Sequence, residues 1–301
     1  MALQSSGQIS LNDIKTELGA ASTDVSLRAM SSTAGKASPD AISEFYGYAN
    51  YSNVKFYEND GTGDYISGTT SSAPFTINST QDLTISMWVR PQNTADQNHM
   101  MINFSNTTAN GNNRLFISYT ANVNRIITRV RTNSSNFDRQ FALHDNSTQT
   151  GFSNSNAWSK TNRGNTNAAG WINLTVTYDA SQSAAESAFK LYWNGSECAS
   201  TAASTNGSRG SIAATKYKIG ENIHSTNSGG NAFMDFDEIK VYDRIISGSA
   251  ITSIYNSGVV ADSSQTSSTN LVTEWTFENS DASDSNSRYT GTITGGTIGT
   301  H

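Results

Sequence analysis

Carboxylates set inside an apolar strand pattern are the residues of this sequence best placed to do chemistry. Phe233 to Arg244 reads Phe-Met-Asp-Phe-Asp-Glu-Ile-Lys-Val-Tyr-Asp-Arg. Strict alternation puts Phe233, Asp235, Asp237, Ile239 and Val241 on one face, and Met234, Phe236, Glu238, Lys240 and Tyr242 on the other. Ile239 and Val241 mark the first face as the buried one, so Asp237, with Asp235 beside it, is expected at the edge of a core. A carboxylate there needs a cation, backbone N–H donors or ordered water. The same alternation sends Asp237 and Glu238 to opposite faces. No Ser-His-Asp order, Gly-rich phosphate loop or nucleotide signature is present. His99, His144, His224 and His301 have no metal-binding spacing. Cys198 stands alone, which excludes an intramolecular disulfide framework and a cysteine zinc site.

The strand that carries these carboxylates belongs to a β-rich chain. Of 301 residues, 35% are hydrophobic and 15% charged, and only three are proline. A remainder dominated by Ser, Thr, Asn and Gly suits many strands and turns rather than helical bundles. Further strands are expected at Val54–Tyr57, after the Asp60–Asp64 turn, and at Leu83–Arg90, Met100–Phe104, Arg114–Tyr119, Arg125–Arg131 and Phe137–Leu143. Others follow at Trp171–Tyr178, Phe189–Trp193, Lys216–Ile219 and Leu271–Phe277, and one more in the Gly-rich tail from Thr290. In the Leu83 segment Leu83, Ile85, Met87 and Val89 point inward, while Thr84, Ser86, Trp88 and Arg90 point outward. Asp145 to Asn167 is too polar for a core element. Ser249 to Ser257 reads as one short helix with Ile251, Ile254 and Tyr255 on one face. Many short strands without a βαβ rhythm mean an antiparallel β-sandwich or jelly roll spanning residues 51–301.

Residues 1–50 differ. Ile9 to Gly19 carries a helix signature, with Ser10 as N-cap, Asp13 at N3 and Leu11, Ile14 and Leu18 as an apolar stripe. Ser26 caps a second short helix, and Ser38-Pro39 opens a third that ends at Gly47. Three such helices can hardly bury a core alone, so this small helical segment is expected to dock against something else. A net charge of −6 without a basic stripe argues against nucleic acid as a partner. No apolar run is long enough to enter a membrane, and no signal-peptide pattern opens the chain, which is therefore expected to be made in a cytoplasm.

The order of these signals resembles the laminin-G-like branch of the concanavalin A-like jelly rolls. The matching pieces are Phe56 with Asp60-Gly61 and Asp64-Tyr65-Ile66, Leu83 to Pro91, Trp171 to Asp179, Lys190 to Gly195, Ile219-Gly220, and Phe236 to Arg244 with the helix after it. Leu271 to Phe277 looks like a segment that often opens such domains, but here it closes the chain. Residues 5–50 are similar to short N-terminal modules of phage tail and virion proteins, through Ser6 to Ile14 and Ile42 to Gly47. The first resemblance implies a rim calcium ion, with Asp237, Asp60, Asp64 and Glu221 as the matching positions. It also implies glycan binding, for which Trp88, Tyr119 and Trp158 are the aromatic candidates. A glycoside hydrolase is the enzymatic alternative on this fold, but the related Glu-x-Asp-x-(x)-Glu strand lacks its leading Glu here, so the expectation is a non-enzyme. Together the resemblances imply a virion structural protein, a tail appendage, fibre or decoration protein. It would dock to other virion proteins through residues 1–50 and offer residues 51–301 to host-surface polysaccharide or to a neighbouring subunit. The alternatives are a purely structural subunit without ligand and a secreted lectin or adhesin. A homo-oligomer, such as a trimer, is the expected assembly.

Overall fold

The computed structural model describes residues 9–17, 26–33, 41–42, 55–59, 63–92, 98–107, 113–132, 135–143, 158, 170–199, 202–223, 230–256, 270–278, 280–284 and 286–300. The chain divides into two compact units, Met1–Asn53 and Val54–His301.

The first unit contains α1 (Leu11–Glu17) and α2 (Leu27–Thr33). Ser10 caps α1 reciprocally. The Asp13 N–H donates to Ser10 Oγ at 3.2 Å, while the Ser10 N–H and hydroxyl both donate to Asp13 Oδ2 at 2.7 Å. These bonds hold the Asp13 carboxyl below its usual range. Ser26 Oγ accepts the Ala29 N–H at 3.1 Å and caps α2 in the same way. Ile9, Ile14 and Met30 are buried, but Leu11 is exposed, so the expected stripe holds at Ile14 and fails at Leu11. The expected third helix lies outside the described residues, apart from 41–42.

The second unit is a sandwich of antiparallel sheets. Its strands are β1 (Lys55–Glu58), β2 (Tyr65–Thr69), β3 (Thr76–Ile77), β4 (Leu83–Pro91), β5 (His99–Ser105), β6 (Arg114–Thr120), β7 (Arg125–Thr132), β8 (Ser135–Ala142) and β9 (Ile172–Tyr178). After α3 (Ala185–Ala188) come β10 (Phe189–Trp193), β11 (Ser196–Glu197), β12 (Ala203–Asn206), β13 (Ile212–Ala213), β14 (Lys216–Ile219) and β15 (Met234–Tyr242). Helix α4 (Gly248–Asn256) precedes β16 (Leu271–Trp275), β17 (Thr290–Thr294) and β18 (Thr297–Thr300). The first sheet runs β11-β10-β9-β4-β15-β1-β18, with β16 also paired to β15, and the second runs β12-β8-β7-β6-β5-β14-β2-β17. The core between them includes Ile85, Met87, Phe104, Ile117, Leu174, Trp193, Tyr217 and Trp275. The alternation expected for β4 is observed: Leu83, Ile85, Met87 and Val89 enter this core.

Strict alternation fails in β15. Its pairing with β4 jumps from Asp237↔Trp88 to Lys240↔Ser86, so Glu238 and Ile239 together oppose Met87. Glu238 adopts φ +47°, the left-handed region. This is a β-bulge, and it reverses the side-chain phase. Met234 and Phe236 reach the core before it, and Ile239 and Val241 after it. Asp235 and Asp237 consequently lie on the outer face of the first sheet, not on the face of Ile239 and Val241. The partner on this edge changes at the same place, from β1 (Tyr57↔Phe236) to β16 (Ile239↔Trp275).

The last two strands divide between the sheets. β17 pairs with β2 and β18 with β1. The corner is Gly295-Gly296, at φ +59° and +53°. A Cβ on Gly295 would sit 1.8 Å from Asp64 Oδ1, and one on Gly296 would sit 2.7 Å from the Glu58 carbonyl. Only glycine fits this approach.

Candidate functional site

The carboxylates singled out in β15 form a buried ionic cluster. Asp235 receives the Arg90 guanidinium through Nε and Nη2, both at 2.7 Å from Oδ2, and an additional bond from Gln92. The guanidinium lies 4.5 Å from the Phe56 ring centroid and 4.8 Å from that of Trp171, so it is held from two sides. Burial pushes Asp235 upward, with Arg90 opposing. Asp237 accepts the Glu238 N–H at 2.8 Å. The Lys240 ammonium lies 3.1 Å from Glu238 Oε2 and 3.4 Å from Glu274 Oε1. The bulge thus brings Glu238 to the same side as Asp237. One buried ammonium serves two carboxylates. Burial, then mutual repulsion, raises Asp237; burial raises Glu238 to about 7. Both are buried, and no glycosidic bond can be brought between them in this conformation.

The residues expected to hold calcium divide between the sheets: Asp64 and Glu221 flank the Ile66↔Ile219 pair at one end of β2 and β14, and Asp237 stands apart from them. Asp237 lies on the first sheet. Asp64 precedes β2 of the second sheet, and its carbonyl accepts the Asn59 side-chain amide at 3.1 Å. Glu221 follows β14 and is engaged by Lys218. Asp60 lies outside the described residues. Among the described residues no three Asp, Glu, His or Cys side chains form a group able to hold a metal ion.

The aromatic residues expected to stack on sugar are covered. Trp158 is 1% exposed and packs against Trp193 and Tyr119, with ring centroids 5.6 and 5.3 Å away. Its backbone N–H donates to the Tyr119 hydroxyl at 2.8 Å, and that hydroxyl in turn donates to Asn124 Oδ1. Tyr119 faces the core, because Leu115, Ile117 and Tyr119 share one phase of β6. Trp88 points away from the inter-sheet core, as expected. It is nevertheless buried among Phe56, Trp171 and Tyr255 of α4, whose ring stacks 6.0 Å away. The polar composition of the sequence around Trp158 concealed a core residue.

A concave surface lies elsewhere, on the outer face of β14, β2 and β17. It encloses a groove of about 360 Å³. Lys216 and Lys218 line it from β14, Tyr65, Ser67 and Thr69 from β2, and Thr290 and Thr292 from β17. The register stacks these side chains across strands: Lys216↔Thr69↔Thr290 and Lys218↔Ser67↔Thr292. The Lys218 ammonium sits 3.6 Å from the centre of the half-buried Tyr65 ring and pairs with Glu221. Below the groove, Tyr217 packs on Trp275 and Tyr289 at 4.6 and 4.9 Å. Gly68 and Gly291 leave room for the Tyr217 ring, since a Cβ would lie 2.3 Å from Tyr217 Cε1 or 2.5 Å from its hydroxyl. Hydroxyls, two ammonium groups and an aromatic face in a groove of this size suit a polar small ligand. The sequence signal is the alternation Tyr65-x-Ser67-x-Thr69, Lys216-x-Lys218 and Thr290-x-Thr292. It resembles an ordinary wet strand face until pairing brings the three strands together.

Two facing antiparallel sheets define a β-sandwich of the jelly-roll type. Residues 60–252 match the Laminin_G_3 family, described as the concanavalin A-like lectin/glucanases superfamily. This is more than half of the chain, which belongs to that superfamily. A Bacteroides ovatus protein, provisionally assigned as carbohydrate binding, shares the fold at TM-score 0.52 and 13% identity, covering 84% of this chain and 61% of its own. The chain therefore spans under two-thirds of that protein. A SAP-like pentraxin of Limulus polyphemus aligns at TM-score 0.41 and 11% identity, over 67% of this chain and 81% of its own. The binding domain of Paraclostridial Mosquitocidal Protein 1 aligns at 0.43 and 19%, over 68% and 43%. No curated protein matches the sequence.

Proposed function

We propose that the β unit binds a glycan in the groove on the outer face of its second sheet, without cleaving it. The observation that carries this reading is the groove of about 360 Å³ itself, lined by hydroxyls, lysines and Tyr65. Superfamily membership supports it, as does the provisional carbohydrate-binding assignment of the Bacteroides ovatus protein. The carboxylates of β15 sit on the other sheet, engaged by Arg90 and Lys240, which favours binding over hydrolysis.

The larger role we assign is that of a virion structural protein, a tail appendage, fibre or decoration protein made in the host cytoplasm. Residues 1–50 dock it to other virion proteins, and a homo-oligomer presents the β unit to host-surface polysaccharide. The support is the resemblance of residues 5–50 to virion modules and the capped helix at Ser10–Asp13. The test is a glycan array on the full chain and on Tyr65→Ala, which removes the one aromatic ring of the groove's outer face. Binding by the full chain, weakened about tenfold in the variant, is expected, because a stacked ring contributes on the order of 1 kcal/mol or more. Equal binding by both proteins rules out the groove. For the virion role, deletion of residues 1–50 must abolish incorporation into particles.

A further inference from the structure

The outer face of the second sheet carries two cross-strand rows that differ in charge compensation. In one row, Asp138 of β8 opposes Arg129 of β7, which opposes Phe116 of β6; Asn103 of β5 and Lys218 of β14 continue it. Its cations are engaged, Arg129 by Asp138 at 3.1 Å and Lys218 by Glu221. The row beside it runs Arg131 of β7, Arg114 of β6, Ser105 of β5, Lys216 of β14, Thr69 of β2 and Thr290 of β17. It contains three cations and no acid.

Among the described residues, the side chains of Arg131 and Lys216 make no hydrogen bond or ion pair with another side chain or backbone group. Arg114 is 4% exposed, donates through Nη1 only to the neutral Asn222 amide, and leaves Nε without a partner. A buried guanidinium with an unused donor is costly unless something supplies the acceptor. Burial, with repulsion from Arg131 and Arg129, lowers Arg114 to about 10. The row ends in the groove, where Lys216 forms part of the wall. Neighbouring strands are about 4.8 Å apart, so the cations at β7, β6 and β14 span about 14 Å. This is an extended track, not a point site. It lies on a chain of net charge −6, so it is a local reversal of sign.

We infer that the Arg131–Arg114–Lys216 row is an anion-binding track continuous with the groove, and that the glycan is an acidic polysaccharide whose carboxylates or sulfates lie along it. The inference rests on the glycan-binding reading and narrows it to a ligand class. Guanidinium groups pair with carboxylate or sulfate oxygens in two-point geometry, and Lys216 adds a point charge next to the hydroxyl-lined groove.

The test compares the full chain with Arg131→Gln/Lys216→Gln and with Lys190→Gln. Arg114 is left intact because its burial makes it part of the fold. Lys190 lies on β10 of the other sheet, paired to Glu197 at 3.1 Å, and controls for the loss of a cation away from the row. The probes are polygalacturonate, dextran sulfate, neutral dextran, a neutral glycan panel and oligo-dT at fixed ionic strength. The expected result is binding to polygalacturonate or dextran sulfate, weakened roughly tenfold in the double variant and unchanged in Lys190→Gln. Polygalacturonate alone identifies carboxylates as the anion, and dextran sulfate alone identifies sulfates. Equal losses in both variants, an unaffected double variant, or equal retention of oligo-dT would each overturn the acidic-glycan track. Binding confined to neutral glycans overturns the track but keeps the glycan reading, whereas binding to none of the saccharides overturns both.

Discussion

Glu238 shows how one residue sets both geometry and titration. Its left-handed φ of +47° makes the bulge that brings Glu238 to the buried Lys240, which also pairs with Glu274 of β16. Burial lifts Glu238 from 4.5 to about 7. Between these values the folded chain keeps a proton that the unfolded chain releases, so this contribution to stability is full below pH 4.5 and is lost as pH rises through 7. His99 acts in the opposite sense. It is buried, its Nδ1 accepts the Phe233 N–H, and burial lowers it from 6.5 to about 4. The unfolded chain binds the extra proton there, so stability falls as pH drops from 6.5 towards 4. In Glu238→Gln the His99 contribution remains, with those of the raised Asp235 and Asp237, and the Glu238 contribution is gone. Between pH 4.5 and 6.5 the slope of the urea midpoint against pH should then be more positive than in the natural sequence; identical slopes would contradict this assignment. Trp158→Ala tests a second residue. It should cost about 3–5 kcal/mol of unfolding free energy, as loss of a buried indole does. A variant of unchanged stability that loses only ligand would restore Trp158 as a binding platform.

At the scale of elements, the chemistry of single strands was legible and their pairing was not. Alternation located β4, β6, β7, β9, β10, β14 and β15, because an apolar face one side chain in two is a local property. The bulge was hidden, since no glycine marks Glu238 and only pairing with β4 shows two residues opposite Met87. The short β3, β11, β12 and β13 have too few residues to show a period. The groove was hidden for a related reason: its three strands, Tyr65–Thr69, Lys216–Ile219 and Thr290–Thr294, are far apart in sequence and meet only through register. The terminal corner offers the test at this scale. Gly296→Ala brings a Cβ to 2.7 Å from the Glu58 carbonyl at φ +53°, while Gly63→Ala, at φ +80°, meets nothing within 4 Å. The first should destabilise by about 2–3 kcal/mol and the second by about 1 kcal/mol in equilibrium unfolding, because only the first adds a clash to the left-handed strain. Equal costs would mean that the corner relaxes freely.

For the molecule as a whole, the two sheets divide the work. The outer face of the first gathers its charges into a covered cluster and presses Trp88 and Trp171 against Phe56. The outer face of the second leaves hydroxyls, Tyr65 and Lys216 around a groove. Ligand should therefore be felt on one sheet only. Hydrogen exchange with and without a glycan that the chain retains reads this directly, because β17 is an edge strand whose amides open locally. The account predicts slower exchange in 65–69, 216–219 and 290–294, with 83–91 and 234–242 unchanged. Protection confined to the β4 and β15 segments would place the ligand on the first sheet and contradict it.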